Sequence, residues 1–391
     1  MGDAMASFSD ASTDVFELLC KMLRFDTTNP PGNEKPLAEM LASYMKDRGI
    51  EATVSDLGDN RANVTGCIKG SGERKALMLN GHLDVVPTGL TPWDTPPFDP
   101  VQVGDKLFGR GASDMKGGLA AMIVAAAIVK ASNKPLKGDL IITGSADEEA
   151  GSLGARVYRE QEGLDDIGAI IVGEPSSCCI NISEKGALWI EVITIGKTAH
   201  GAFADQGINA VVGMHLFIGE ILQYKFEYTA NELLGHPSLN ISIIQGGVKA
   251  NVVPDRCSLT LDIRTVPGMP HSKIVDDINA ICEKVKAKMP GLEMSVNPFN
   301  DRPAVETPKD HPFIKMAQSV IADKFGGDTA VKGVNFYTDA AIFLPGTDIP
   351  AILYGPGDAS MAHQPNECVS VPQLSEAVTF YVTMIERYLV E

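Results

Sequence analysis

The sequence has little positive charge and no long apolar run, and both shortages exclude classes of protein. Lys and Arg together number 33 against 50 Asp and Glu, which gives a formal net charge of -17 at pH 7. A chain this acidic has no broad basic surface for nucleic acid or for an anionic membrane. The longest apolar stretch, residues 119–129, is too short to span a bilayer and predicts a buried helix instead. A small polar substrate or a metal cation is a better match to this charge.

The cysteine pattern and the first residues of the chain exclude two further classes. The seven cysteines are scattered from Cys20 to Cys368, and no two have the C-x-x-C spacing of a structural zinc site. The opening segment MGDAMASFSDAS lacks the basic start and the apolar core of a secretory signal. We therefore expect no disulfide framework and a cytoplasmic location, with neither nucleic acid nor a membrane as partner.

The length and the order of patterns predict two domains. A chain of 391 residues is longer than one hydrophobic core usually serves. Short β-rich runs and a long helical pattern predict an α/β fold with a mostly parallel mixed sheet and flanking helices; the runs are 62–68, 76–80, 140–143 and 169–172, and the helix is 116–131. A complete β-α-β-β-α-β pattern follows and predicts an inserted α+β domain. The predicted domains are 1–184 with 301–391, and 185–300.

Five short motifs place histidines and carboxylates where predicted strands have just ended. In open α/β sheets, ligands bind outside the carboxyl ends of the strands. The motifs are LMLNGHLDVVP with His82 and Asp84, GRGASDMKGG with Asp114, SADEEAGSLG with Glu148 and Glu149, AIIVGEPSS with Glu174, and MAHQPNE with His363. Two imidazoles and several carboxylates form a ligand set suited to zinc. Residues of three of these motifs also have a simpler interpretation: His82 in a polar loop, Asp114 as a helix N-cap, and Asp147 as a local hydrogen-bond acceptor.

The five motifs, in this order over nearly the whole chain, resemble the cocatalytic zinc amidohydrolases and peptidases. That family includes acetylornithine deacetylase, succinyl-diaminopimelate desuccinylase, aminoacylase and glutamate carboxypeptidase. The resemblance implies a zinc-peptidase-like catalytic domain, a ferredoxin-like lid and two zinc ions, for which Co or Mn could substitute. It assigns His82, Asp114 and Glu174 to one ion. It assigns Asp114, Glu149 and His363 to the other, with a cis peptide bond after the bridging aspartate.

The resemblance also implies roles for side chains that are not ligands. Glu148 would be the general base that takes a proton from metal-activated water, and Asp84 would orient the imidazole two residues before it. His200, Asn251 and Arg264 of the inserted domain resemble lid residues that polarise the carbonyl, hold the oxyanion region and bind a substrate carboxylate. The residues alone also permit a helix cap, a turn and a surface charge, respectively. A homodimer is expected, because the lid histidine of dimeric relatives often reaches the partner's site.

The substrate class also follows from the resemblance. Glutamate at position 174 accompanies deacylases and carboxypeptidases of the family, whereas aspartate there accompanies aminopeptidases. This implies hydrolysis of an N-acyl amino acid, as by the deacetylases and desuccinylases, with a glutamate-type carboxypeptidase or dipeptidase as the alternative. Thr338, Asp339 and Gly355 are predicted to contact the substrate, and Asp339 could equally support its loop. A non-enzymatic metal-binding protein is the remaining alternative, against which the presence of Glu148 argues.

Overall fold

The structure is a computed structural model that describes residues 2–391, and their side chains from Ser12 onward. Its helices are α1 Gly2–Leu23, α2 Lys35–Lys46, α3 Lys116–Ala131, α4 Leu153–Gln161, α5 Ala210–Ile221, α6 His271–Lys288, α7 Pro312–Phe325, α8 Ala340–Phe343 and α9 Val371–Leu389. Two short 3-10 segments are Gly201–Gln206 and Ala359–Met361. No helix in this described part combines the length and the apolarity that crossing a membrane requires.

The strands form three sheets. They are β1 Glu51–Gly58, β2 Arg61–Ile68, β3 Ala76–His82, β4 Val101–Val103, β5 Lys106–Phe108, β6 Leu140–Ser145, β7 Ile167–Val172, β8 Asn181–Glu184, β9 Gly186–Ile195, β10 Ser238–Gly246, β11 Arg256–Thr265, β12 Glu293–Arg302, β13 Val305–Glu306, β14 Lys332–Val334, β15 Ala351–Leu353 and β16 Cys368–Ser370. The smallest sheet has the order β16-β5-β4.

The largest sheet is mixed, with parallel strands at its centre. Its nine strands have the order β1-β2-β6-β3-β7-β15-β8-β13, with β14 beside β8. Strands β6, β3, β7 and β15 pair in parallel, whereas β1 with β2, β2 with β6, and β15 with β8 pair antiparallel. The predicted α/β class, a large mixed sheet with flanking helices, is confirmed.

The central strand and the main helix are apolar because both are enclosed. β3 is buried along its whole length, as expected for a parallel strand covered on both faces. α3 has the predicted limits of 116 and 131, and it packs against β3, α1 and α9. Its many alanines and glycines allow this close packing from several sides. The apolar run 119–129 is therefore a buried helix, as predicted.

A second sheet, with the order β10-β11-β9-β12, is antiparallel throughout. Together with α5 and α6 it gives the six predicted elements in the predicted β-α-β-β-α-β order. Alternate residues of β9 and β11 are buried, and they join apolar residues of both helices in one core that includes Val192, Phe217 and Ile278. The period of two in these strands follows from having one covered face.

The chain divides into two compact units. One contains the described residues up to Ser183 together with Glu306–Gly333 and Thr338–Glu391, and the other contains Glu184–Val305 and Val334–Tyr337. The sequence pattern predicts the short segment 334–337 in the first domain. In the structure Lys185 N donates to Val334 O at 3.1 Å, and the Tyr337 ring lies 4.2 Å from the Arg302 guanidinium carbon. These contacts attach the segment to the second unit.

Candidate metal centre

The carboxyl ends of three parallel strands carry most of the predicted ligands. β3 ends at His82, which pairs with Ser145 at the end of β6. Glu148 and Glu149 follow β6, and Glu174 follows β7 by two residues. Because these strands are parallel and in register, the loops that leave them emerge at the same edge of the sheet. The sheet therefore brings together side chains that are up to 92 positions apart in sequence.

Asp114 lies between the two predicted histidine ligands. Its Oδ1 is 3.1 Å from His82 Nε2, and its Oδ2 is 3.4 Å from His363 Nε2. Glu174 Oε1 lies 3.8 Å from His82 Nε2, and Glu149 Oε2 lies 3.0 Å from His363 Nε2. Each carboxylate oxygen of Asp114 thus faces a different imidazole, an arrangement that would allow it to bridge two cations. The peptide bond that follows Asp114 is cis, as predicted.

The proton affinities of the cluster reflect burial and mutual contact. Burial raises the pKa of Glu149 to about 6, and repulsion by Asp114 acts in the same direction. Burial likewise raises the pKa of Glu174 well above its usual range. Burial alone would raise the pKa of Asp114, but hydrogen bonds from His363 and His82 outweigh it and hold that pKa below its usual range. Without metal, protons on the imidazoles supply the positive charge that balances these carboxylates.

The donor set fits divalent cations. His82, Asp114 and Glu149 offer ligand atoms that all lie within 4.8 Å of one another. Within the described part of the chain, Glu149 Oε1 is buried and has no hydrogen-bond partner, which is costly unless another group binds it. Imidazole and carboxylate donors suit zinc, and they also accept cobalt or manganese. The assignment of individual ligands stays a prediction.

Asp84 connects the imidazole of His82 to the two following glutamates. It is fully buried, and its Oδ1 and Oδ2 accept from Glu148 N and Glu149 N, both at 3.1 Å. His82 Nδ1 lies 2.9 Å from Asp84 O and 3.5 Å from Asp84 Oδ1. Donation from Nδ1 would leave Nε2 as the metal-binding nitrogen. Asp84 is therefore placed to orient both the histidine and the backbone of the predicted base.

Glu367 is a buried residue of this site that the sequence did not reveal. It is fully buried, and its carboxylate accepts from Gly111 N at 3.0 Å and from Ser113 N and Asp114 N at 2.9 Å. Its Oε2 also pairs with Arg110 Nη1 at 2.6 Å. This carboxylate thus holds the loop that carries Asp114, and it follows His363 by four residues in the same motif.

The contacts of Glu367 also account for the local structure at Asp114. The N-cap of α3 is Met115, and it makes no side-chain cap bond, so Asp114 is not the helix cap that the motif alone permitted. The available signal for Glu367 was an acidic residue directly before the apolar strand β16. That signal is weak, because acids at strand ends are common on protein surfaces.

The three predicted lid residues all belong to the second unit. His200 is exposed, and its Nδ1 accepts from Ala202 N at 3.1 Å as the N-cap of the first 3-10 segment. Asn251 lies in an exposed turn, where its backbone carbonyl accepts a hydrogen bond from Gly201 N at 2.9 Å. Arg264 Nε pairs with Asp262 Oδ1 at 2.9 Å. His200 as a cap and Asn251 in a turn match the simpler interpretations of these residues. The roles of all three residues toward a substrate stay predictions.

The three predicted substrate-contacting residues of the first unit are buried. Thr338 Oγ1 accepts from Ala340 N at 3.1 Å, and Asp339 accepts a hydrogen bond from the Ser145 hydroxyl. A Cβ atom added at Gly355 would lie 2.6 Å from Glu174 O, so the absent side chain allows two loops to approach. The observed contact of Asp339 supports its own loop, which is the alternative that the sequence left open. A substrate contact stays a prediction for all three.

Comparison with known proteins identifies the family. A family model described as Peptidase family M20/M25/M40 matches residues 78–387. The chain belongs to this family. The predictions of a hydrolase and of the related zinc amidohydrolases and peptidases are therefore confirmed at the level of the family, whose members are metal-dependent and act on small acyl-amino acid or peptide substrates.

Relatives with named activities align with most of the chain. It is 29% identical to a probable succinyl-diaminopimelate desuccinylase of Staphylococcus epidermidis, over 96% of this chain and 98% of the relative. It is 32% identical to an acetylornithine deacetylase of Salmonella arizonae, over 85% of each chain. Among solved structures, an M20 family metallo-carboxypeptidase from Sulfolobus solfataricus matches with a TM-score of 0.78 and 20% identity, over 96% of this chain and 99% of that one. A dinuclear metal-binding M20 peptidase from Bacillus subtilis matches with a TM-score of 0.73 and 16% identity, over 96% and 98%.

Proposed function

We propose that the protein is a zinc-dependent hydrolase that cleaves the amide bond of an N-acyl amino acid, with Glu148 as general base. The observation that carries this proposal is the position of Asp114, whose two oxygens face His82 and His363 at 3.1 and 3.4 Å. The relatives named as desuccinylase and deacetylase support the substrate class. Cobalt or manganese are possible substitutes for zinc.

The five predicted ligands would hold two ions, with Asp114 shared between them. When bound, such ions supply Lewis acidity, which polarises a carbonyl and lowers the pKa of water. Glu148 would take the proton of the attacking water and pass it to the leaving amine. Asp84 would fix the backbone of Glu148 for this transfer, through the 3.1 Å hydrogen bond from Glu148 N.

The experiment that tests the proposal combines a metal and substrate panel with a base variant. Protein loaded with zinc, cobalt or manganese is assayed on N-acetyl amino acids, N-succinyl amino acids and dipeptides. Glu148→Gln keeps the size of the side chain and removes the base, so we expect kcat to fall about 10²- to 10⁴-fold at unchanged metal content. Glu160→Gln, on the exposed side of α4, is the matched control.

Three results would decide against this proposal or parts of it. Full activity of Glu148→Gln would remove Glu148 as the base. Preference for dipeptides or for peptides with a free carboxyl terminus over N-acyl amino acids would favour the carboxypeptidase or dipeptidase alternative. Absence of hydrolysis of every substrate by the metal-loaded wild type would contradict the proposed reaction.

We further propose a cytoplasmic homodimer that forms through the second unit. All seven cysteines are free, which supports a reducing compartment. β10 is an edge strand of its sheet and carries Ile243 and Ile244, each 53% exposed, with Val248 beyond it at 84%. Val212 on α5 is 47% exposed. An exposed apolar edge strand of this kind favours pairing with a second copy.

A further inference from the structure

The side-chain amide of Asn29 joins two carboxylates behind the metal centre. Asn29 is only 3% exposed, and its Nδ2 donates to Asp84 Oδ2 at 2.8 Å and to Asp147 Oδ1 at 2.9 Å. Its Oδ1 accepts from Arg61 Nη2 at 2.8 Å. Both protons of the amide and its oxygen are therefore engaged, which fixes the orientation of the side chain.

Arg61 balances the charge of this group. Its Nη1 lies 2.5 Å from Asp147 Oδ1 and 3.4 Å from Glu34 Oε1, and its Nη2 donates to Pro31 O at 2.6 Å. The side chains of Arg61 and Asp147 are 14% and 13% exposed, and that of Glu34 is fully buried. A guanidinium with several donors in a fixed plane can hold such a group in one arrangement.

Asp147 is consequently more than a local acceptor. Its Oδ2 accepts a hydrogen bond from Leu153 N at 3.3 Å, which connects Asp147 to the start of α4. Its Oδ1 is held by Asn29 and Arg61, on segments more than 80 positions away in sequence. Asp147, the first acid of the SADEEAGSLG motif, is thus a fixed anchor for the Asn29 amide.

The position of Asp84 depends on contacts from two sides. On one side, the carboxylate oxygens of Asp84 accept from the backbone N–H groups of Glu148 and Glu149, and the backbone carbonyl of Asp84 faces His82 Nδ1. On the other side, Asn29 Nδ2 donates a hydrogen bond to Asp84 Oδ2 at 2.8 Å. The side-chain hydrogen bonds of Asn29 join it to Asp84, Asp147 and Arg61, so we expect its effect on His82 to pass through Asp84.

We propose that Asn29 is a positioning residue for the metal centre, held by Asp147 and Arg61. It fixes the Asp84 carboxylate, and through it the imidazole of His82 and the backbone of Glu148. This inference rests on the proposed function, because it assigns the purpose of the fixed geometry to the hydrolytic site. A group that holds a metal-ligating histidine from behind typically contributes about 10- to 100-fold to metal affinity or activity.

The test compares Asn29→Ala with Asn181→Ala. Asn181 is also buried, at 4% exposure, and its Nδ2 donates to Cys179 O at 3.2 Å, so its replacement likewise removes a buried amide and its hydrogen bond without touching Asp84. Cobalt(II) affinity and the visible absorption of the cobalt-loaded protein are measured first, then kcat and KM. For Asn29→Ala we expect cobalt affinity and kcat each about 10- to 100-fold lower and an altered cobalt spectrum, with KM changed by less than about threefold.

A second variant, Asp147→Asn, decides the outcome if Asn29→Ala does not fold. Asp147→Asn leaves Asn29 in place and removes the charge that anchors it, so its cobalt affinity and kcat are expected to fall in the same direction. In a double-mutant cycle the two substitutions should be non-additive, because Asp147 acts through Asn29.

Failure of this inference is distinguishable from failure of the proposed function. Wild-type cobalt affinity, spectrum and kcat in Asn29→Ala, or in Asp147→Asn where Asn29→Ala does not fold, would overturn the positioning role. A loss of equal size in Asn181→Ala would also overturn it, since the effect would then be general destabilisation. If the wild type hydrolyses no amide, the proposed function fails, while the cobalt measurements still decide whether Asn29 positions the site.

Discussion

At the scale of single residues, neighbouring carboxylates favour the protonated form of the two candidate ligand histidines in the metal-free protein. Hydrogen bonds with Asp114 and Glu149 raise the pKa of His363 to about 10, against a smaller opposing effect of burial. For His82, burial lowers the pKa, but hydrogen bonds with Asp114 and Asp84 raise it well above its usual value. A metal ion binds only the neutral imidazole, so binding must displace these protons.

We therefore predict that metal affinity rises with pH from neutrality to about pH 10, by about tenfold per pH unit for each proton displaced. A group with a raised folded-state pKa is protonated below that pKa, so at pH 8 His363 still holds its proton. Calorimetric titration of zinc into metal-free protein, in two buffers with different ionisation enthalpies, counts the protons released. His363→Ala should release fewer protons than the wild type; equal release would contradict the assignment of His363.

The same pKa shift gives the opposite trend for the stability of the metal-free protein. The raised pKa of His363 contributes stability that is fully present below its unfolded pKa of about 6.5 and is lost as pH rises toward about 10. Metal affinity and metal-free stability should consequently change in opposite directions across this range. Denaturant unfolding of metal-free protein at several pH values measures the second trend.

At the scale of elements, the start of α3 must lie against the end of β7. A Cβ atom added at Gly118 would overlap the backbone oxygen of Gly173, which is the residue before Glu174. Gly118→Ala should push α3 and the Asp114 loop away from Glu174, with a loss of roughly 1–3 kcal/mol in the free energy of unfolding and weaker metal binding. Urea unfolding and cobalt titration measure both effects.

The chain offers a matched control for this substitution. Gly219 also lies within a helix, α5, and a Cβ atom there would have no neighbour within 4 Å. Gly219→Ala should therefore stabilise the protein by about 0.5–1 kcal/mol, because alanine loses less backbone entropy than glycine. Equal effects of the two substitutions would mean that close packing at Gly118 is unimportant.

Some strands and helices could be predicted from their sequence patterns alone. Strands β3, β6 and β7 and helix α3 were predictable because burial imposes a continuous apolar run on each. The rule that ligands bind at the carboxyl ends of such strands then predicted that His82 and Glu174 lie at one edge of the sheet, and His82 Nε2 is 3.8 Å from Glu174 Oε1. Strand β1, in which only Ala52 is buried, was not predicted, since it has no apolar run to reveal it.

Contacts between distant polar residues were not predictable from any local pattern. Glu367 is 253 positions from Asp114, and Asn29 is 118 positions from Asp147, yet each pair is joined by a hydrogen bond of 2.9 Å. A buried carboxylate or amide has the same sequence signature as an exposed one. Only the folded chain shows which polar residues are enclosed with partners.

At the scale of the whole molecule, the proposed dimer predicts that two inactive variants can complement each other. His200 is exposed and lies on the second unit, whereas Glu148 is buried on the first. If His200 serves the site of the partner subunit, a mixed dimer of His200→Ala and Glu148→Ala contains one site with both residues intact. Co-expression of the two variants with different affinity tags allows the mixed dimer to be purified and assayed.

We expect the mixed dimer to recover close to half of the wild-type kcat per dimer, since one of its two sites has all its groups. Each homodimeric variant alone should remain strongly impaired. If His200 acted within its own chain, both sites of the mixed dimer would lack one group and its activity would match the parent variants.

Ile243→Lys places a charge on the exposed edge strand β10 and should yield monomers in sedimentation velocity. Those monomers should have the low kcat of His200→Ala, whereas a fully active monomer would exclude both the trans arrangement and the need for a dimer.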